Sequence, residues 1–222
     1  IGLFLAYGFC GPWLPGQWAH RGYDVSSLSG FMYQTLEGIF GTAVDVSSSL
    51  IILFTIYGAF LQHSGAGKFY LDWSFAAMGS RHSGAGRTVV LASFLLGGPS
   101  GSGVATTVTI GAVAYPMLKR AGYAPEAAGG LLAAGGLGAI ISPPVLGAAA
   151  FLIAEFLKIS YLDVLLMAIV PTLLYYLSLF LMVELDARKF RMPVMATAAK
   201  GELALLTGRY WYHFLSLASI VV

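Results

Sequence analysis

Charged residues divide the chain into long apolar tracts. No Asp, Glu, Lys or Arg occurs within 46–67, 88–118, 127–154 or 164–183, and each tract reaches the ~20 residues that carry a helix across a hydrocarbon core of roughly 30 Å. Two segments, 46–62 (VSSSLIILFTIYGAFLQ) and 164–183 (VLLMAIVPTLLYYLSLFLMV), predict plain spanning helices. The other two are interrupted, 88–118 by GGPSGSG and 127–157 by GGLGAIISPP. An unbroken helix over 88–118 would be roughly 46 Å long, well beyond the hydrocarbon thickness. Each interrupted segment therefore predicts a re-entrant hairpin or a broken span.

The basic residues choose between these by the positive-inside rule. Lys68, Arg81 and Arg87 in 63–87, and Arg188, Lys189, Arg191, Lys200 and Arg209 in 186–209, place both loops on the cytoplasmic side. With 164–183 as one crossing, the interrupted segments must contribute an odd number of crossings between them. Lys119 and Arg120 fall inside only if 88–118 is the hairpin and 127–157 the broken span. Ten of the twelve Lys and Arg residues are then cytoplasmic, leaving Arg21 and Lys158 outside. The expected organisation is the end of a preceding span and an external connector over 1–45, then a spanning helix with a cytoplasmic interfacial segment over 46–87. The hairpin follows at 88–118 and the broken helix at 119–157. A spanning helix with its cytoplasmic loop occupies 158–209, and the start of a further span 210–222. Within 63–87, Phe69–Met78 is too short to span and reads as an interfacial helix or an ordinary loop.

Composition agrees with a membrane solvent. Of 222 residues, 58% are hydrophobic and 10% charged, against roughly 25% charged in a soluble domain. The fold class expected is all-α and polytopic. The net charge of +2 gives no footprint for nucleic acid. The single Cys10 excludes an internal disulfide or a cysteine metal cluster. The chain opens on Ile1 within an apolar run and ends at Val222 within another, which reads as a cut through spans at both ends.

Unwound backbone is tolerated at membrane depth only where protein buries it or a cavity hydrates it. Two consecutive interruptions therefore point to a binding site. The first, Gly98-Pro99-Ser100-Gly101-Ser102-Gly103 followed by Thr106, Thr107 and Thr109, supplies carbonyls and hydroxyls suited to an alkali cation. The second, Gly135-Gly136-Leu137-Gly138 through Ser142-Pro143-Pro144, supplies further carbonyls and a helix N-terminus after Pro144, which attracts anionic groups. The candidate cation ligands are Ser100, Gly101, Ser102, Thr106, Gly135 and Gly138. The candidate substrate contacts are Ser102, Thr107, Ser142, Pro143 and Pro144. The structural alternative is that these glycines only let helices pack closely.

Enzyme-like patterns are weaker. Gly98-Pro99-Ser100-Gly101 fits G-x-S-G of intramembrane serine hydrolases, yet His20, His63, His82 and His213 all fall in loops or at span ends. Gly98–Gly103 has the glycine spacing of a phosphate loop with Val104 where lysine is required. A literal repeat, HSGAGK at 63–68 and HSGAGR at 82–87, reads as two helix-end loops or as paired phosphate nests. A membrane scaffold without transport is the remaining alternative.

At the two interruptions the chain resembles the large membrane subunit of tripartite ATP-independent periplasmic (TRAP) transporters. The likeness runs from about Leu36 to Lys189 and is most specific in SGSGVATTVTIGAVAYPMLKRAGYAPEAAGGLLAAGGLGAIISPPVLGAAAFLIAEFL. GPWLPGQWAHRGYD, TLEGIFG and VPTLLYYLSLFLMVELDARK resemble the fused, TAXI-associated type. The resemblance implies the first half of an inverted-repeat elevator importer in a bacterial or archaeal cytoplasmic (inner) membrane. It further implies a periplasmic substrate-binding protein as partner, a small organic anion as substrate, a second repeat in the rest of the polypeptide, and no cofactor beyond a coupled sodium ion. Ser100, Gly101 and Ser102 match the family's hairpin motif, and Gly135, Gly138, Pro143 and Pro144 its second break. The chain departs from the usual SGSAVAN at Thr106, where asparagine is common. It also departs at Leu131 and at AGGLGA, 134–139, where an acid and an STGGQ run are common. These departures keep protons open as the coupling ion.

Overall fold

The computed structural model describes residues 2–78, 81–194 and 201–218. Among these every regular element is helical. The chain divides into two units, 1–50 and 51–222.

In the first unit, α1 (Gly2–Cys10) leads through two short 3-10 turns to α2 (Val25–Gln34) and the five-residue α3 (Thr42–Val46). Asp24 starts α2 by accepting a hydrogen bond from the Ser27 amide, which occupies one of the four amides a helix start leaves free.

The second unit begins with α4 (Ile52–His63) and α5 (Ala66–Met78). The segment Phe69–Met78 is therefore helix rather than loop. Phe69, Tyr70, Leu71 and Ser74 are buried, and the Tyr70 hydroxyl donates to the His213 carbonyl at 2.6 Å. Trp73 Nε1 donates to Thr207 Oγ1 at 3.0 Å, on α11 (Glu202–Tyr210). Phe69 and Trp73 also pack against Phe214 of α12 (Tyr212–Ala218). The aromatics that suggest an interfacial helix are thus spent on tertiary packing.

The two copies of the repeated hexapeptide each open a helix, α5 at Ala66 and α6 at Gly84. α6 (Gly84–Ser100) and α7 (Gly103–Arg120) are joined by two residues and fold back on one another. Leu96 of one arm and Thr109 of the other both approach Gly67. Gly101 makes the reversal: its φ is +58°, and its amide closes α6 on the Gly97 carbonyl at 2.9 Å. A side chain there would be strained by conformation and would meet the Leu146 carbonyl oxygen at 2.5 Å. Ser102 then caps α7, accepting from the Ala105 amide at 3.3 Å.

α8 (Pro125–Ile141) lies against both arms of this hairpin. Small residues make the approach possible, as in membrane helix pairs. A Cβ on Gly97 would meet Ala139 Cβ at 2.6 Å, and one on Gly103 would meet the Gly136 carbonyl oxygen at 2.7 Å. Val89, Val90, Leu96, Ile110, Leu118, Leu131 and Leu132 fill the core.

α9 (Ala149–Leu157) and α10 (Tyr161–Lys189) complete the frame. Ser160 and Asp163 form a capping box at the start of α10. Of its residues, Leu166, Met167, Val170, Leu173, Leu174, Leu177 and Leu181 are exposed. A contiguous apolar face of this length is costly in water and suited to lipid. Val44–Leu61 and Tyr161–Lys189 are each long and apolar enough to cross a membrane.

Candidate functional site

The hairpin tip and the unwound stretch after α8 meet. The Val145 amide donates to the Gly98 carbonyl at 3.2 Å. A Cβ on Gly98 would meet the Pro143 carbonyl oxygen at 2.7 Å. Beside this junction lies a cleft of about 280 Å³, lined by Ser100, Gly101, Ser102 and Ala105 of the hairpin and by Val145, Leu146 and Ala148 of the unwound stretch. Ile51, Phe54, Thr55, Gly58 and Ala59 around α4, with Phe151 of α9, close it. The rings of Phe54 and Phe151, 5.3 Å apart, form part of its apolar wall.

The second interruption falls later than its glycines suggest. Gly135, Gly136 and Gly138 lie inside α8, and the chain leaves the helix only at Ser142, resuming at Ala149. The prolines decide this. Pro143 and Pro144 carry no amide hydrogen, and the residue before a proline is steered to extended backbone. Ser142 has φ −89° and ψ 126°. Downstream, Leu146 takes a left-handed φ of 54°, and the Gly147 amide returns to the Ile140 carbonyl at 2.7 Å.

The sequence candidates fall into distinct settings. Ser100, Gly101 and Ser102 line the cleft. Thr106 is buried, and its Oγ1 lies 3.0 Å from Ser100 Oγ, which also donates to the Gly97 carbonyl at 3.2 Å. Thr107 turns towards α8: its hydroxyl reaches the Gly103 carbonyl at 2.8 Å and the Leu132 carbonyl at 3.4 Å. Gly135 packs on Ser93 and Gly138 on Tyr176. Ser142 is fully buried, its hydroxyl donating to the Gly138 carbonyl at 2.5 Å and lying 3.3 Å from the Tyr176 hydroxyl. Pro143 and Pro144 lie at the junction with α6.

Three groups escape the sequence reading. Thr172 donates to the Ile141 carbonyl at 2.6 Å, Tyr175 to the Ala134 carbonyl at 2.7 Å, and Tyr161 to the Val145 carbonyl. A buried carbonyl without a partner costs roughly 1–3 kcal/mol, so Thr172 and Tyr161 hold the backbone at the two sides of the break, while Tyr175 ties α10 to the body of α8. The signal was a polar and aromatic cluster, Thr172, Tyr175 and Tyr176, in the middle of a long uncharged run.

Electrostatically, the cleft lies by two helix starts, α7 at Gly103 and α9 at Ala149, and by the carboxyl end of α6. Helix starts favour anions, and carbonyl-rich helix ends favour cations. Among the described residues the hydrogen bonds of Ser100 join it to Gly97, Thr106 and the Ser102 amide. His63 Nδ1 is 2.8 Å from the Ala59 carbonyl, and His82 Nδ1 is 2.8 Å from the Met192 carbonyl.

No curated protein matches the chain. A family model described as "Tripartite ATP-independent periplasmic transporter, DctM component" matches residues 20–222. Over nine-tenths of the chain is covered, including the hairpin, the unwound stretch and α10, and the chain belongs to the DctM family of TRAP transporter membrane components.

Proposed function

We propose that this membrane component is a cation-coupled, elevator-type importer of a small organic acid delivered by a periplasmic binding protein, with sodium as the coupling ion. One observation carries the reading: the hairpin tip and the unwound stretch 142–148 converge on a single cleft edged by two helix starts and the end of α6. Carbonyls and the Ser100–Thr106 hydroxyl pair offer hard oxygen ligands for an alkali cation. The starts of α7 and α9 favour a carboxylate. Side chains of α10 hold the unwound stretch, so hairpin and break move as one body. The aliphatic α10 face supplies the lipid contact such a body needs.

In this reading 88–118 re-enters the membrane and Lys119 faces the cytoplasm. Cysteines placed beside Lys119 should react with a membrane-impermeant thiol reagent only from the cytoplasmic side. The full-length protein in proteoliposomes with its binding protein should take up a labelled organic acid under an inward sodium gradient, and not under an equal choline gradient. Uptake driven by a proton gradient alone would replace sodium by protons; uptake without either gradient would overturn coupling.

A further inference from the structure

A second hollow lies at the carboxyl end of α10, beside the start of α6, whose other end lines the cleft. It has a volume of about 650 Å³, and Arg81, His82, Ser83, Glu184, Arg188 and Arg191 are among its walls. Its depth follows from α10 itself. The uncharged run 164–183 rises about 30 Å, the thickness of the hydrocarbon core. Glu184 is the first charge beyond it, which puts Arg188 and the hollow at headgroup level.

The charges there do not cancel. Glu184 Oε2 accepts from Arg87 at 2.5 Å and from Ser83 at 2.7 Å, while Oε1 accepts from Arg188 at 3.1 Å. One carboxylate is thus shared by two guanidiniums. Arg81 and Arg191 have no ion pair among the described residues. His82 is tied through Nδ1 to the Met192 carbonyl, leaving Nε2 available.

We propose that this hollow binds the phosphate headgroup of an anionic phospholipid, held by Arg81, Arg188 and Arg191. Guanidinium matches a phosphate with paired donors, and basic pockets between membrane helices are suited to such headgroups. The neighbouring surface favours a lipid over free phosphate. Leu177, Leu181 and Leu185, spaced one helical turn apart and each more than half exposed, form an apolar track along α10 that leads to Arg188. An acyl chain fits the track while its phosphate fills the hollow. The second copy of the repeated hexapeptide, HSGAGR, acquires a role here through His82, Ser83 and Arg87. The inference needs only the membrane placement of α10 and is independent of the cation-site reading.

The test uses the full-length protein in detergent, with short-chain phosphatidylglycerol, short-chain phosphatidylcholine and inorganic phosphate as separate probes. Binding is followed by native mass spectrometry and thermal shift. Phosphatidylglycerol should bind and stabilise the wild type, whereas phosphatidylcholine and inorganic phosphate should not at equal concentration. The double variant Arg81→Gln with Arg191→Gln, which removes no ion pair among the described residues, should weaken phosphatidylglycerol binding about 30-fold, a factor of roughly five for each cation. The paired lysine variant should keep most of the affinity. Unchanged affinity in the glutamine variant, or equally tight phosphatidylcholine, would overturn the proposal. Inorganic phosphate binding as tightly as the lipid would overturn it too, by assigning the hollow to a free anion.

Discussion

The hydroxyls of Ser100 and Thr106 lie 3.0 Å apart, on opposite sides of the two-residue turn that joins α6 to α7. Thr106 is buried, so its hydroxyl has exchanged water for this partner. The pair ties the last turn of one helix to the first of the next, at the edge of the cleft. Thr106→Val keeps the volume and removes the bond. It should lower stability by about 1 kcal/mol and, on the proposed cation site, weaken the stabilisation of the full-length protein by sodium. Thermal unfolding in detergent at graded sodium concentrations reads both effects.

Two glycines should respond to alanine with opposite signs. Gly101 has a left-handed backbone, and a Cβ would meet the Leu146 carbonyl oxygen at 2.5 Å and Val145 Cγ1 at 2.8 Å. Gly101→Ala should destabilise by roughly 1–3 kcal/mol. Gly129 lies within α8 with nothing near its Cβ position, so Gly129→Ala should stabilise by up to about 1 kcal/mol through helix propensity. Parallel unfolding curves of the two variants test the pair.

Tyr123, in the link between α7 and α8, buries a hydroxyl that has no hydrogen-bond partner among the described residues. Burial, reinforced by the nearby Asp186 carboxylate, pushes this hydroxyl up to about 12. Removing an unpartnered polar atom relieves a desolvation cost. Tyr123→Phe should therefore be neutral or stabilising by up to about 1 kcal/mol, measured by the same unfolding curves. By contrast, Tyr176→Phe removes a hydroxyl that contacts Ser142 and should cost about 1 kcal/mol.

Much of the frame was legible because lipid imposes a simple rule on sequence: charges leave the spans. The gaps between Arg87 and Lys119 and between Asp163 and Glu184 correspond to the α6–α7 hairpin and to α10. The hairpin turn was legible too, since Gly101 and Ser102 are local signals for a left-handed stop and a helix cap. The second interruption was less so. Gly135 and Gly138 read as unwinding residues, yet their role is set by Ser93 and Tyr176 on other helices, which no local pattern records. The prolines at 143 and 144 carried the stronger local signal. The anchoring hydroxyls of Tyr161, Thr172 and Tyr175 were hidden for the same reason. On a spanning helix such residues pass for interfacial aromatics until their carbonyl partners are known. The burial of Phe69 and Tyr70 likewise depends on α11 and α12, distant in sequence.

The central claim is that the hairpin tip is part of the transport site, and uptake by tip variants tests it most directly. Ser100 and Ser102 both line the cleft, so replacing each with leucine in the full-length protein should fill it. Cation-dependent uptake into proteoliposomes should then be lost, while the purified variant still unfolds cooperatively, at a temperature lowered by the missing α7 cap and the missing Ser100–Thr106 bond. Uptake at the wild-type rate in the double variant would contradict the account.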